Sequence, residues 1–253
     1  MKIWKTLLLV YRELDVSLPI GRNLLVGRDS VEPMGDYGSA ERRPTTKRRK
    51  RFHHIASERE LTDALDSFAG FPKLVSELTA GRAGIEYEIV RPGHALTSLT
   101  RESPSRFWPS PGDIRPDLDE FAPSGKYDSI FAFWPQRDLK NGMVVPCDAW
   151  GLAMGASKWT NDATYAAIAN APSSAWRNEA RGEVWLHEWL HGVCAHFAQR
   201  GNVMPERDAD GGELHGYVRS PTAGWTEYYR DLMNGNVLED GKRFGIPSDA
   251  WVA

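Results

Sequence analysis

The chain has 253 residues, enough to bury a sizeable core, and its 41% hydrophobic and 26% charged residues are typical of a globular protein. The formal net charge of -3 provides no excess of positive charge, so we expect neither a nucleic-acid partner nor a membrane partner. Two cysteines, Cys147 and Cys194, are too few for a disulfide framework, and no secretion signal is evident, so the default expectation is a cytoplasmic protein or one exported without a signal.

The N-terminal part of the chain predicts strands separated by helices and loops. The apolar run Leu7–Val10 predicts a buried strand. Residues 17–55 contain glycine, proline and a basic run, and they predict a flexible insertion. Residues 56–81 predict one or two helices, with Gly81 as the stop. Further predictions are a strand over 85–92, a Pro- and Ser-rich loop over 102–125, a strand over 126–135, and an edge strand with a Gly-rich loop over 143–157.

The C-terminal part of the chain predicts helices. A long helix is expected from about residue 174, with a serine cap and a stop at Gly201. A polar loop follows, and then a short amphipathic helix over 225–235. The predicted fold is therefore α+β: an N-terminal twisted mixed sheet with helices, a central helix, and a mainly helical C-terminal part. We expect lobes at 1–200 and 201–253 that form a single catalytic unit.

Within the long helix, the stretch VWLHEWLHGV places two histidines and a glutamate among apolar residues. His187 and His191 lie one turn apart on one helix face. Burying ionisable groups costs several kcal/mol unless they are paired or bind a metal. Two neutral imidazoles at this spacing can direct nitrogens at one Zn²⁺ ion, and Glu188 would then stand beside a metal-bound water. The stretch therefore predicts a zinc site with Glu188 as general base.

This stretch resembles the active-site helix of the zincin metallopeptidases, which carries the motif HExxH. The resemblance implies a zinc-dependent peptidase that acts on peptide or protein substrates. It also implies a twisted sheet whose edge strand binds substrate above the helix, and we expect residues 151–157 to offer that backbone. The longer metzincin pattern HExxHxxGxxH is not met, because Cys194 and Phe197 occupy its later positions.

A catalytic zinc site usually takes three protein ligands, and the third has several candidates. His215 lies in the polar loop, and histidine is a good zinc ligand. Glu227 and Asp231 match the spacing of the gluzincin helix, in which a glutamate binds the metal and the later acid supports a histidine. An acid among Asp208, Asp210 and Glu213 is the remaining alternative.

Other polar residues near the motif receive separate predictions. Tyr217 is the expected hydrogen-bond donor to the transition-state oxyanion, with Tyr228 and Tyr229 as alternatives, and His215 could also serve as this donor if it is not a metal ligand. Cys194 is predicted to be a small buried residue, and His196 a structural one on the opposite helix face.

Two alternative functions remain open at this point. One is a zinc hydrolase with a different substrate, either a non-peptide amide or, in a toxin-like peptidase, one specific target protein. The other is a non-catalytic binding protein in which the metal is structural and the basic residues 42–51 contact an acidic partner.

Overall fold

The computed structural model of the chain describes residues 1–19, 49–103, 105–147, 149–171 and 180–251. Most of the basic run at 42–51 and the predicted serine cap of the long helix lie outside these ranges. Within them, the protein has an α+β architecture built on a mixed sheet. Helices in the described ranges are all too short or too polar to cross a membrane.

Strands and short helices alternate through most of the described chain. The strands are β1 (Lys2–Val10), β2 (Glu13–Pro19), β3 (Arg49–Ile55), β4 (Ala83–Val90), β5 (Thr100–Ser103), β6 (Arg106–Trp108), β7 (Ser129–Trp134), β8 (Arg137–Asp138), β9 (Met143–Val144), β10 (Gly151–Met154), β11 (Thr164–Ala169), β12 (Val237–Glu239) and β13 (Lys242–Phe244). The helices are α1 (Glu58–Phe68), α2 (Phe71–Leu78), α3 (Arg115–Phe121), α4 (Glu183–Ala198) and α5 (Thr226–Leu232). Short 3-10 turns occur at Lys158–Thr160, Asp208–Asp210 and Ser248–Trp251.

The main sheet of the described residues has the strand order β10-β11-β7-β1-β4. Strand β10 is antiparallel to β11, and every other pair in this sheet is parallel. The predicted strands at 7–10, 85–92 and 126–135 fall on β1, β4 and β7. The parallel central strands β7 and β11 are buried along their whole length, as expected for strands that are covered on both faces.

Each face of the main sheet packs against its own apolar cluster. One cluster joins Leu8, Phe131 and Ile168 of the sheet to α4 and to the C-terminal segment. The other contains Leu7 and residues on the opposite face, and α3 covers it. Side chains from both sides of residue 200 share the first cluster. The predicted division into two lobes stays a prediction.

Helix α4 lies beneath β10 and β11 and is almost completely buried. Trp189 shows how closely it packs, because its ring stacks on Trp251 with centroids 6.0 Å apart. Gly192 faces the sheet at a point where a β-carbon would lie 2.9 Å from Thr164 Cβ. The predicted stop near Gly201 agrees with the structure, since the helix ends at Ala198 and Gly201 has a φ of +90°.

Four predictions about elements need correction. The long helix begins at Glu183, after Gly182, and not near residue 174. The proposed insertion at 17–55 is too long, because its two described ends belong to β2 and β3, which pair as an antiparallel ribbon. Phe52 and His54 are buried on the inner face of β3, while the basic residues of this strand face water. The proposed loop at 102–125 contains β6 and α3. The C-terminal part is not mainly helical, because α5 is followed by the β12–β13 hairpin, which turns at Asp240 and Gly241.

Candidate functional site

The two motif histidines face one another on the exposed side of α4. Their Nε2 atoms are 3.3 Å apart. Asp210, in the 3-10 turn at 208–210, places Oδ1 at 3.4 Å from His187 Nε2 and Oδ2 at 3.8 Å from His191 Nε2. One ligand atom from each of the three residues lies within 4.8 Å of the others. This group could hold a metal ion.

The spacing of these atoms can be compared with a zinc site. Ligands at 2.0–2.1 Å from a tetrahedral zinc ion lie about 3.3 Å from one another. The separation between the two Nε2 atoms and that from His187 to Asp210 are close to this value. The contact from His191 to Asp210 is somewhat longer, at 3.8 Å, and the Asp210 side chain is exposed.

The second nitrogen of each histidine has a partner that orients the ring. His191 Nδ1 lies 2.5 Å from Asp208 Oδ1, and His187 Nδ1 lies 2.9 Å from the Tyr229 hydroxyl. Because a carboxylate can only accept, His191 Nδ1 must carry the proton, which leaves the lone pair on Nε2. A metal on His187 Nε2 likewise requires Nδ1–H to donate to Tyr229. Such outer partners are a regular feature of metal-binding histidines.

The turn that carries the two aspartates has an unusual backbone. Arg207 and Asp208 both have positive φ angles, +63° and +33°, although neither is glycine. Such a conformation is uncommon outside glycine and costs free energy. The Tyr228 hydroxyl donates to the main-chain oxygen of Asp208 and holds the turn against α5. The turn therefore presents Asp208 to His191 and Asp210 to the histidine pair.

Electrostatics differ between the two histidines. Burial and the charge of His191 lower the pKa of His187. Burial also acts to lower the pKa of His191, but the hydrogen bond and charge of Asp208 outweigh it and raise that pKa above its ordinary value. Of the two imidazoles, His191 therefore takes up a second proton more readily than His187 does.

Glu188 lies beside the histidine pair and is buried against β10. A β-carbon at Gly151 would lie 2.4 Å from Glu188 Cδ, so the carboxylate packs directly on the backbone of the edge strand. Burial raises the pKa of Glu188 to about 7. A carboxyl group with a pKa near the working pH is suited to accept and return a proton.

A cleft of about 810 Å³ passes between β10 and α4, and the histidine pair lies in it. One wall is the backbone of β10, and the other is the face of α4 that carries Glu183, His187 and His191. Asp208, Asp210 and Tyr229 also line this cleft. The cleft runs along the whole of β10, because every residue from Gly151 to Met154 lines it.

The structure does not bring His215 or Glu227 to the histidine pair. His215 is turned away, with Nε2 3.1 Å from the main-chain oxygen of Glu206 and its ring stacked on Tyr228. Glu227 is exposed on α5, and Glu213 is exposed in the preceding loop. Of the residues weighed as a third ligand, Asp210 belongs to the group and Asp208 contacts His191 instead.

The predicted oxyanion donor Tyr217 does not line the cleft in the described structure. Its hydroxyl donates to Asp231 Oδ2 over 2.5 Å, so the Asp231 side chain supports a tyrosine and not a histidine. Tyr229, one of the two alternatives, lines the cleft and contacts His187. Cys194 is buried, as predicted, and the His196 ring packs on Trp4 on another face of α4.

Compared with models of known protein families and with curated proteins, the chain has no match. The sequence left two residues of the site unassigned. Asp210 was one of several candidates for the third ligand, and the contact of Gly151 with Glu188 was not predicted. The clue to Asp210 is its place in a short acidic turn after the motif helix, and the clue to Gly151 is its place at the start of a Gly-rich segment.

Proposed function

We propose that the protein is a zinc-dependent peptidase in which His187, His191 and Asp210 bind the metal. The observation that carries this proposal is the convergence of two Nε2 atoms and one carboxylate at the spacing of a tetrahedral site. Two imidazoles and one carboxylate form a ligand set that suits zinc. Glu188 lines the same cleft, so a metal-bound water or substrate would stand beside it.

Bound zinc would act as a Lewis acid and lower the pKa of a coordinated water to roughly 7. Glu188 would accept a proton from the attacking water and deliver it to the leaving nitrogen. Its packing against Gly151 keeps the carboxyl group away from bulk solvent. Tyr229 and Asp208 would hold the two imidazole rings in place through their Nδ1 atoms.

The edge strand supports a peptide as the substrate. Strand β10 pairs with β11 on one side only within the described chain, and its other side borders the cleft. An extended peptide can add to such an edge through main-chain hydrogen bonds. The placement of β10 above α4 also supports the zincin-like fold that the motif implies. No contact in the described residues favours the toxin-like or the binding-protein alternative, and Arg51 of the basic run pairs with Asp15.

Metal analysis tests the ligand set. Purified full-length protein, stripped by a chelator and titrated with Zn²⁺, is expected to bind one zinc per chain. Asp210→Asn removes the charged ligand with little change of shape and is expected to weaken zinc binding at least tenfold. Glu227→Gln is the matched control, because Glu227 is exposed on α5, and it is expected to leave binding unchanged. Equal zinc affinity in the two variants would show that Asp210 is not a ligand.

Hydrolysis tests the role of Glu188. The Glu188→Gln variant is expected to keep zinc and to lose peptide hydrolysis by about 10²- to 10⁴-fold, the range for loss of a general acid–base group. The substrate is a mixture of end-blocked peptides, with products identified by mass spectrometry. Undiminished cleavage by this variant would contradict the general-base assignment, and no cleavage by zinc-loaded wild-type protein would contradict the peptidase proposal.

A further inference from the structure

The end of the cleft near the start of α4 contains an ion pair that the proposed chemistry does not use. Arg219 and Glu183 contact each other at 3.4 Å between Nη2 and Oε2. Both line the cleft, but the Glu183 side chain is only 9% exposed whereas that of Arg219 is 45% exposed. Of the two side chains, that of Arg219 is therefore the one accessible to a ligand in the cleft.

Glu183 is fixed in place by the loop that precedes α5. The Trp225 main-chain N–H donates to Glu183 Oε1 over 2.6 Å. The Cα of Gly224 packs on the same carboxylate, since a β-carbon there would lie 1.9 Å from Oε1. This close approach requires glycine, and the positive φ of Gly224, +59°, favours it too. Glu183 thus holds the loop and provides a fixed anion that orients Arg219.

The guanidinium of Arg219 has donors left over. It carries five N–H groups, and Glu183 is its only hydrogen-bond partner in the described part of the chain. A planar guanidinium with free N–H groups matches a carboxylate in a bidentate arrangement. Val184 and Trp225 form apolar walls beside it, and an ion pair is stronger where water is partly excluded.

The position of Arg219 relates it to the reacting bond. Glu183 and His187 are four residues apart on α4, so their side chains are neighbours about 6 Å apart. One residue of an extended peptide spans about 3.3 Å. A group bound by Arg219 therefore lies within about one to three residues of a carbonyl held at the histidine pair.

On the basis of the peptidase proposal, we propose that the cleft selects substrates with a carboxylate close to the scissile bond and that Arg219 binds this group. The carboxylate has two sources, an acidic side chain within a peptide or the free C-terminus of the chain that is cut. The first source gives an endopeptidase with acidic specificity, and the second gives a carboxypeptidase.

Matched peptides distinguish these sources and test the role of Arg219. In the first set, the peptides are blocked at both ends, and each pair differs only by glutamate or glutamine at one position. In the second set, every glutamate is replaced by glutamine, and each pair differs only by a free or an amidated C-terminus. Wild-type protein is expected to cleave the carboxylate-bearing member of at least one set with a kcat/KM higher by about 10- to 100-fold, the range of a charge-assisted hydrogen-bond pair. Arg219→Gln is expected to abolish this ratio while zinc content and cleavage of neutral peptides are retained.

Control variants and a binding measurement make the result decisive. Arg200→Gln lies outside the cleft and is expected to keep the wild-type ratio, and Arg219→Lys is expected to keep part of it. Calorimetric binding of the same peptides to the Glu188→Gln variant measures selectivity without any hydrolysis, so a failed peptidase proposal does not hide the result. Equal binding and cleavage of acidic and neutral peptides, or an unchanged ratio in Arg219→Gln, would overturn the inference.

Discussion

At the scale of single residues, the two aspartates of one turn have separate roles. Asp210 offers its carboxylate to the histidine pair, whereas Asp208 accepts from His191 Nδ1. The sequence alone does not assign these roles, because the two aspartates are only two positions apart in the same acidic turn. The roles depend on the fold of the turn, in which Arg207 and Asp208 have positive φ angles.

The pH dependence of zinc binding should follow His191. Asp208 raises the pKa of His191, while burial lowers that of His187, so His191 is the first of the two to take up a competing proton as the pH falls. Apparent zinc affinity is expected to be constant at high pH and to fall about tenfold per pH unit below the pKa of His191, because proton and metal compete for Nε2. Competition titrations with a chromogenic chelator between pH 5 and pH 9 measure this.

The Asp208→Asn variant is the control for that titration. Asparagine can still accept from Nδ1–H but carries no charge, so the cause of the raised pKa is removed. The pH at which zinc affinity begins to fall is expected to be lower in this variant. The constant affinity at high pH is expected to be weaker by about 10- to 100-fold, because the His191 ring is oriented less firmly. If zinc affinity begins to fall at the same pH in both proteins, Asp208 does not set the protonation of His191.

Gly151 is expected to matter for catalysis without binding metal. In Gly151→Ala, the new methyl group would overlap Glu188 Cδ at 2.4 Å and displace the carboxylate. Displacement of a reacting group by about 1 Å can cost 10²-fold in rate, so kcat is expected to fall by about that factor with zinc content unchanged. Adding Glu188→Asp, which is shorter by one methylene, should cause a smaller loss in this background than in wild type. Strictly additive losses would contradict the predicted contact.

At the scale of elements, α4 and the strands β1, β4 and β7 were predictable because their own patterns are strong. Strand β11 was not, since its sequence TYAAIA is half alanine and is held extended only by its neighbours β7 and β10. Strand β3 was hidden by its exposed basic residues. The HExxH pair and the buried glutamate were visible in the sequence, but Asp210 was not singled out, because its approach depends on how the C-terminal segment packs on α4.

The contact between α4 and the sheet gives a prediction at this scale. Gly192→Ala places a β-carbon 2.9 Å from Thr164 Cβ and 3.0 Å from the Met154 carbonyl oxygen, so helix and edge strand must move apart. Overpacking of this kind costs about 1–3 kcal/mol in the free energy of unfolding. Urea unfolding is expected to show a lower midpoint in Gly192→Ala. Gly93→Ala, whose added carbon meets nothing within 4 Å, is the control. Equal midpoints would mean that α4 and the sheet accommodate the methyl group with no loss in the free energy of unfolding.

At the scale of the whole molecule, the proposed metal joins two parts of the chain that are distant in sequence. His187 and His191 come from the helix beneath the sheet, and Asp210 comes from the segment that leads into α5. Further along the same C-terminal part of the chain, Tyr228 and Trp251 already share one buried cluster with α4. A bound ion would therefore fasten the C-terminal segment to an existing core, and it would not have to organise an unfolded region.

Zinc should consequently raise the thermal stability of the whole protein and not only order the turn at 208–210. A ligand at 100 times its Kd stabilises the folded state by about 2.7 kcal/mol, and for a chain of this size each kcal/mol shifts Tm by about 2–4 °C. Differential scanning calorimetry is thus expected to show an increase of roughly 5–11 °C in one cooperative transition. Glu227→Gln should show the same increase and Asp210→Asn a much smaller one at equal zinc. An identical increase in Asp210→Asn would place the stabilising zinc elsewhere, because the loss of a ligand must reduce binding to the folded state.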